Sequence, residues 1–492
     1  MTSNLKHQTV TGVFWRGLET CGRYGVQFVV SVVLARLLVP EQFGLIAMLT
    51  IFIQLSFVFI DSGFQKALIQ KKDADYTDEC SVFYLNIFVS VIVYAALFLC
   101  APLVANFYEE PLLTPVLRVL ALKLPIQALG QIQRALLTKK IDFKAQFFAG
   151  FGGMIISGGL GVFLAYADFG VWALVAQQIT LELIRTVTFW LMSSWRPGLV
   201  FSIKSVKQLF DFGSRLLASG LLDAFFVNIY GLVIGKIFNP ASLGFYNRGR
   251  SLPQMLMMGV NGTVMAVMFP VFSSIQDNPA RLKSAAKRTL TTICTLLFPV
   301  MFGMAAVAEP LVRILLTDKW LPCVPYLQIM CFVYVTWPIH VGNLQIIMAL
   351  GRSDVFLKLE IIKKINITIA ILITFKFGVL AMVWGQLATA IIAVFLNSYY
   401  SGKFINYTTR EQLKDLSPSA LLAGIMAVLA YAAGLPEYPN VYVQFITQIA
   451  AGALVYIGGC IIIKLPSFYD AIDLVRGMLH GKLNALNLKL RT

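Results

Sequence analysis

Charge is scarce in this sequence. Asp, Glu, Lys and Arg make up 13% of 492 residues, where a soluble globular chain carries roughly 25%. A soluble enzyme and a disordered polymer are excluded on that ground. Histidine is scarcer still, at three residues. The seven cysteines (Cys21, Cys80, Cys100, Cys294, Cys323, Cys331 and Cys460) are odd in number, scattered, and mostly inside apolar runs. Without a CxxC or a Cys/His cluster, neither a disulfide framework nor a zinc site is indicated. No P-loop is present, so ATP hydrolysis has no support. A cleavable signal is not expected either: the first apolar stretch carries Arg16, Glu19 and Arg23 and runs on into further membrane-length segments. Apolar side chains are what the sequence has in abundance, 58% of residues with a mean hydropathy of +0.76. The composition is that of a polytopic membrane protein.

Apolar runs bounded by charged or Pro/Gly-rich breaks predict fourteen helices, at about 11–36, 43–64, 80–105, 112–137, 145–167, 170–194, 207–237, 243–275, 286–308, 323–350, 359–377, 379–401, 418–435 and 441–463. With the N-terminus placed in the cytoplasm, 26 of the 40 Lys and Arg residues fall on the cytoplasmic side, 5 on the other, and 9 within helices. That bias satisfies the positive-inside rule with both termini cytoplasmic. It also accounts for the net charge of +16: the excess sits in short loops, where it serves topology and anionic lipid contact rather than nucleic-acid binding.

The chain repeats itself. Ala35-Arg36-Leu37-Leu38-Val39-Pro40, followed by Phe43-Gly44, aligns with Gly235-Lys236-Ile237-Phe238-Asn239-Pro240, followed by Leu243-Gly244, at an offset of 200. The spacing of cation, proline and glycine suits a turn between helices 1–2 and 7–8. Lys140-Ile141-Asp142 matches Arg352-Ser353-Asp354 at offset 212, and Phe169-Gly170-Val171 matches Phe377-Gly378-Val379 at offset 208, with Gln178 falling on Gln386. The expected architecture is all-α: an N-terminal six-helix lobe (1–202), a pseudo-symmetric six-helix lobe (203–406), and two extra helices with a cytoplasmic tail (407–492). Six crossings per copy give both lobes the same orientation, as in parallel-repeat transporters, and two such lobes can alternate access by rocking.

Charged side chains inside a bilayer cost at least about 2.5–3.5 kcal/mol and usually face the bundle interior or water. Nine cations lie inside the predicted helices (Arg16, Arg23, Arg118, Lys123, Arg134, Arg185, Arg215, Arg248 and Arg250), against five acids (Glu19, Asp61, Glu182, Asp211 and Asp223). Arg16, Glu19 and Arg23 fall on one helix face, and Lys123, Gln127, Gln131 and Arg134 form a polar stripe. Glu182–Arg185 and Asp211–Arg215 are spaced either as packing ion pairs or as cavity groups. Arg23 and Asp223 occupy equivalent repeat positions, so a cross-lobe pair is possible. Asp61, aligned with Asn261, is either a packing polar group or a titrating one. Arg250 suits both the outer mouth and a lipid headgroup, and His340 reads as an interior histidine. Unneutralised Arg16, Arg23 and Lys123 argue for a wet cavity awaiting an anion, and a diphosphate suits the forked donors of arginine.

Local text narrows the reading. Val33-Leu34-Ala35-Arg36 with Pro40 and Phe43-Gly44, Asp61-Ser62-Gly63, Ala67-Leu68-Ile69-Gln70, Arg134-Ala135-Leu136-Leu137 before Asp142-Phe143-Lys144, Phe269-Pro270-Val271-Phe272-Ser273 and Asp318-Lys319-Trp320 together resemble the Wzx-type polysaccharide flippases of the MOP exporter superfamily, colanic-acid exporter branch. The likeness covers about residues 1–400. It implies a bacterial inner-membrane protein that moves undecaprenyl-diphosphate-linked oligosaccharide units between leaflets, driven by a proton or sodium gradient and with no other cofactor. Its implied partners are the lipid-linked oligosaccharide, membrane lipids, and polysaccharide polymerases or glycosyltransferases, with the chain itself a monomer. A multidrug cation antiporter on the same fold is the alternative, and the cation excess opposes it. A polymerase or ligase would need a catalytic loop outside the membrane, and the longest outer loop, around 309–322, is only about fourteen residues.

Overall fold

The computed structural model describes residues 22–61, 63–71, 74–140 and 143–473. Among them there are helices and no strands. In chain order these are α1 (22–37), α2 (Pro40–Asp61), α3 (Phe64–Gln70), α4 (Tyr76–Tyr108), α5 (Leu113–Leu120), α6 (Lys123–Lys139), α7 (Phe143–Tyr166), α8 (Val171–Met192), α9 (Ile203–Ile237) and α10 (Pro240–Ser274). They continue with α11 (Pro279–Ala306), α12 (Ala308–Leu316), α13 (Val324–Val335), α14 (Trp337–Ala349), α15 (Ser353–Thr374), α16 (Val379–Ile405), α17 (Thr409–Ala432), α18 (Val441–Ile462) and α19 (466–473). Ten of the described spans are long and apolar enough to cross a membrane, α5 with α6 and α13 with α14 each counting as one. Two further predicted crossings, α8 and α15, are long enough but diluted by polar residues such as Glu182, Arg185 and Lys363. The first predicted helix begins outside the described residues.

Two predicted helices are broken, at related places. The 112–137 segment divides into α5 and α6 at Ala121–Leu122, and the 323–350 segment divides into α13 and α14 at Thr336. A proline follows each break, Pro125 in the first turn of α6 and Pro338 in that of α14. Proline lacks an amide hydrogen and clashes with the carbonyl four residues back, so it starts a helix readily and continues one poorly. The expected turn at Pro40–Gly44 also differs. Pro40 and Pro240 are the first residues of α2 and α10, and Gly44 and Gly244 lie inside those helices. The actual turns are two residues long. Asn239 caps α10 by accepting from Ser242 N–H at 2.8 Å, while at the first copy Gln42 reaches back to the Val39 N–H at 3.2 Å.

The chain divides into two compact units, residues 1–247 and 248–492. In unit 1, α4 is fixed by a capping box between Asp75 and Asp78. Phe64 and Leu68 of α3 pack with Val82 and Phe83 of α4 and Ile132 of α6. A second cluster joins Leu34 of α1 and Leu38 of the turn after it to Ala165 of α7 and Leu174 of α8. Here α9 packs on α2, α3 and α4.

Unit 2 is built around Phe298 of α11, Ile339 of α14, Val394 of α16, Met426 of α17 and Tyr456 of α18. The helices outside the repeat are bonded into it. Lys283–Glu411 (2.7 Å), Lys287–Asp415 (2.8 Å) and Arg288–Asp470 (2.6 Å) tie α11 to α17 and α19. The Tyr456 hydroxyl donates to the Thr295 carbonyl at 2.7 Å. The expected outer loop at 309–322 is instead α12 and a short 3-10 turn that buries Trp320 completely, with the Arg248 guanidinium 5.2 Å from its ring. Landmark Arg352-Ser353-Asp354 is a bidentate pair, with Arg352 Nε and Nη2 donating to the two carboxylate oxygens of Asp354 at 2.9 and 2.7 Å.

Candidate functional site

A basic polar cluster in unit 1 brings together three of the charged residues singled out from the sequence. Lys123 is the first residue of α6, placed there by the helix break. Its ammonium donates to Gln178 Oε1 of α8 at 2.8 Å. Glu182, one turn beyond Gln178 on the same face of α8, contributes an attractive charge to Lys123. Arg185 Nη1 donates to Glu182 Oε1 at 2.9 Å, with Arg185 25% exposed and Glu182 16% exposed. Two cations thus share one acid, and the cluster keeps a net charge of +1 while being partly withdrawn from solvent. A lysine ammonium has three donors, of which the Gln178 contact uses one.

The helices are held close enough for this by backbone-level packing. A Cβ at Gly130 of α6 would lie 3.0 Å from Thr186 Oγ1 of α8. Thr186 Oγ1 donates to the Ile126 carbonyl at 2.9 Å, and Trp190 Nε1 to the Leu129 carbonyl at 2.8 Å. Both carbonyls belong to α6, so α8 is clamped to it along two turns below Lys123.

The remaining candidates are placed differently. Arg16 and Glu19 lie outside the described residues, as do the side chains of Asp211 and Arg215. Arg23 is on α1, its guanidinium 4.8 Å from the Tyr24 ring centre and its Nε buried with no hydrogen-bond partner among the described residues. The preceding Gly22 faces Phe147 and Phe151 of α7. Asp61 ends α2, and Asp223 is an exposed residue of α9. Arg250 belongs to unit 2, where its Nε donates to the Tyr334 hydroxyl at 3.0 Å.

The polar stripe of α6 does not form one lining surface. Lys123 turns to α8, whereas Gln131 is 4% exposed and accepts from Asn86 Nδ2 of α4 at 2.9 Å. Unit 2 has a matching buried amide pair: Asn343, at offset 212 from Gln131, exchanges two hydrogen bonds of 2.9 Å with Gln412 of α17. Gln178 is the residue that charge counting missed. Its recurrence as Gln386 was the signal that could have found it.

Residues 33–325 match the family of polysaccharide biosynthesis proteins. The chain belongs to that family. Relatives of this polysaccharide biosynthesis protein include the lipopolysaccharide biosynthesis protein WzxC of Escherichia coli, 26% identical over 88% of this chain and 89% of the relative. The succinoglycan biosynthesis transport protein ExoT of Rhizobium meliloti is also 26% identical, over 93% of each. The teichuronic acid biosynthesis protein TuaB of Bacillus subtilis is 22% identical over 92% of this chain and 95% of the relative. Among solved structures, the lipid II flippase MurJ in an inward closed conformation aligns with a TM-score of 0.73 at 15% identity, covering 92% of this chain and 98% of that one. An inward-facing multidrug resistance MATE transporter of the MOP superfamily aligns at 0.62 and 14% identity, covering 78% and 95%. The polysaccharide biosynthesis family member described here therefore has the fold of MOP-superfamily transporters and is a multi-pass membrane protein.

Proposed function

We propose that this protein is a transporter, without covalent chemistry, that carries a lipid-linked oligosaccharide from the cytoplasmic to the outer leaflet of a bacterial inner membrane. The observation that carries the proposal is the Lys123–Gln178–Glu182–Arg185 cluster, in which two cations share one acid within the membrane helices. A diphosphate linker is the anion best matched to it: Arg185 offers a planar fork, and Lys123 a point charge with donors to spare. The family match and the names of WzxC and ExoT support a saccharide cargo. MATE-like drug export on the same fold would call for acids unopposed by bases, and in this cluster the balance is reversed. A proton or sodium gradient is the proposed driving force, and Arg16, Arg23 and Arg215 are proposed to extend the basic lining. Both termini are placed in the cytoplasm by the charge bias, and the copies of the repeat, 1–202 and 203–406, act as the two lobes. Lys123→Ala and Arg23→Ala should each abolish surface-polysaccharide complementation at unchanged protein level. Full activity in both would overturn the cationic site. Exchanging the charges of Arg23 and Asp223 should restore more function than either single reversal, and equal loss in all three would refute that pair.

A further inference from the structure

The proline and glycine of the repeated Pro40–Gly44 and Pro240–Gly244 motifs meet each other reciprocally. A Cβ built on Gly44 would overlap the Pro240 carbonyl oxygen, and would lie 2.9 Å from the Pro240 Cα. A Cβ built on Gly244 would overlap the Pro40 carbonyl oxygen, and would lie 2.9 Å from the Pro40 carbonyl carbon. The same two residue types, at positions 200 apart, thus make the same contact twice with their roles exchanged, as a local twofold axis between the first turns of α2 and α10 requires. In each contact, the glycine hydrogen standing where Cβ would be points at the facing carbonyl oxygen, a geometry open to no other residue. Small residues of this kind are how membrane helices bring their backbones together.

Three further contacts between the first and second copies surround it. Lys236 Nζ lies 2.9 Å from Glu109 Oε1 at the end of α4. Asn228 Nδ2 of α9 donates to Gln54 Oε1 of α2 at 2.5 Å. A Cβ at Gly235 would lie 3.0 Å from the Tyr108 ring and 3.1 Å from Met48 Cγ. Backbone contact and ion pair join the copies at the end of the helices occupied by the turns before α2 and α10, and the Asn228–Gln54 hydrogen bond joins them deeper along α2 and α9.

We infer that the reciprocal Pro40/Gly244 and Pro240/Gly44 contact is a separable seal that closes the outer mouth of the transporter, with Glu109–Lys236 as its surface latch. The placement at the outer mouth rests on the transporter reading and on the orientation proposed above. Close backbone approach at its centre fits such a role: either glycine replaced by a larger residue wedges the surfaces open.

The test uses a functional cysteine-free version of the full chain carrying a single reporter, Gln54→Cys, labelled in intact cells with a membrane-impermeant thiol reagent. Gly44→Ala and Gly244→Ala should each raise the labelling rate by about tenfold. Because one wedge already separates both contacts, the double variant should be no faster than the better single. Unchanged labelling in both, or a change in only one, overturns the seal. Since an alanine substitution can prevent folding, a second variant keeps both glycines and carries Glu109→Cys with Lys236→Cys. Its disulfide should stop transport, and reduction should restore it; undiminished transport in the oxidised form also overturns the seal. Labelling requires no substrate. Glycine-dependent labelling together with no movement of lipid-linked saccharide would refute the flippase reading and leave the seal standing.

Discussion

Removing the acid and removing a base from the α6–α8 cluster should change substrate affinity in opposite directions. Glu182→Gln is nearly isosteric and raises the cluster from +1 to +2. At an effective dielectric of about 20, a unit charge about 5 Å from a phosphate group is worth about 3 kcal/mol. Glu182 and Arg185 are 16% and 25% exposed, and solvent screening at that level reduces the figure to about 1–1.4 kcal/mol, or about tenfold in a dissociation constant. Glu182→Gln should therefore bind a lipid diphosphate about tenfold more tightly and release it more slowly, lowering half-saturation and maximal rate together. Lys123→Met should weaken binding by a comparable factor. The assay is flipping of a fluorescent polyprenyl-diphosphate oligosaccharide in proteoliposomes, with inorganic pyrophosphate as competitor. A purely structural role predicts that both substitutions damage the site in the same direction. If both raise half-saturation, the anion-binding argument fails.

Two other predictions test the surrounding framework. Asn343 and Gln412 are 0% and 2% exposed and satisfy each other twice, so Asn343→Ala should cost about 2–4 kcal/mol by stranding buried amide groups. The double replacement by leucine should recover most of that loss in detergent melting curves, and a double variant as unstable as the sum of the singles would refute the pairing. Glu109 is held below the usual carboxylate range by hydrogen bonding and charge attraction from Lys236. The latch contribution is therefore complete above the ordinary glutamate pKa of about 4.3, and is lost as pH falls through the lowered value. Outer accessibility of the Gln54→Cys reporter should accordingly stay constant from pH 8 to pH 5 and rise only in stronger acid. A rise near pH 6 would assign the latch to another group.

The sequence made the helical membrane architecture legible because apolar runs and the loop cations are properties of single segments. The duplication was legible for the same reason, as Pro40 and Pro240 or Gln178 and Gln386 can be aligned without knowing what they touch. What individual residues face was harder to read. The stripe Lys123–Gln127–Gln131–Arg134 has correct helical spacing, yet Gln131 is drawn to Asn86, a partner 45 positions away that no periodicity announces. The breaks before Pro125 and Pro338 were masked by uninterrupted hydrophobicity on both sides. Gly44 and Gly244 looked like turn residues because glycine is as apt for a turn as for close helix contact, and only a neighbouring backbone distinguishes the two uses. Trp320 falls in the expected outer loop at 309–322, beside Asp318 and Lys319, while Arg248, which covers it, is distant in sequence.

The two amide pairs carry a consequence for the history of the chain. In the first copy, Gln131 finds its partner, Asn86, within its own six helices. In the second, the equivalent Asn343 finds Gln412 on α17, a helix that the duplication did not supply. The later copy has thus handed part of its interior to an appended element. Cutting the chain near residue 406 would not return an ancestral half; it would leave an amide facing hydrocarbon where α17 had been, and the fragment would lack what its twin still owns.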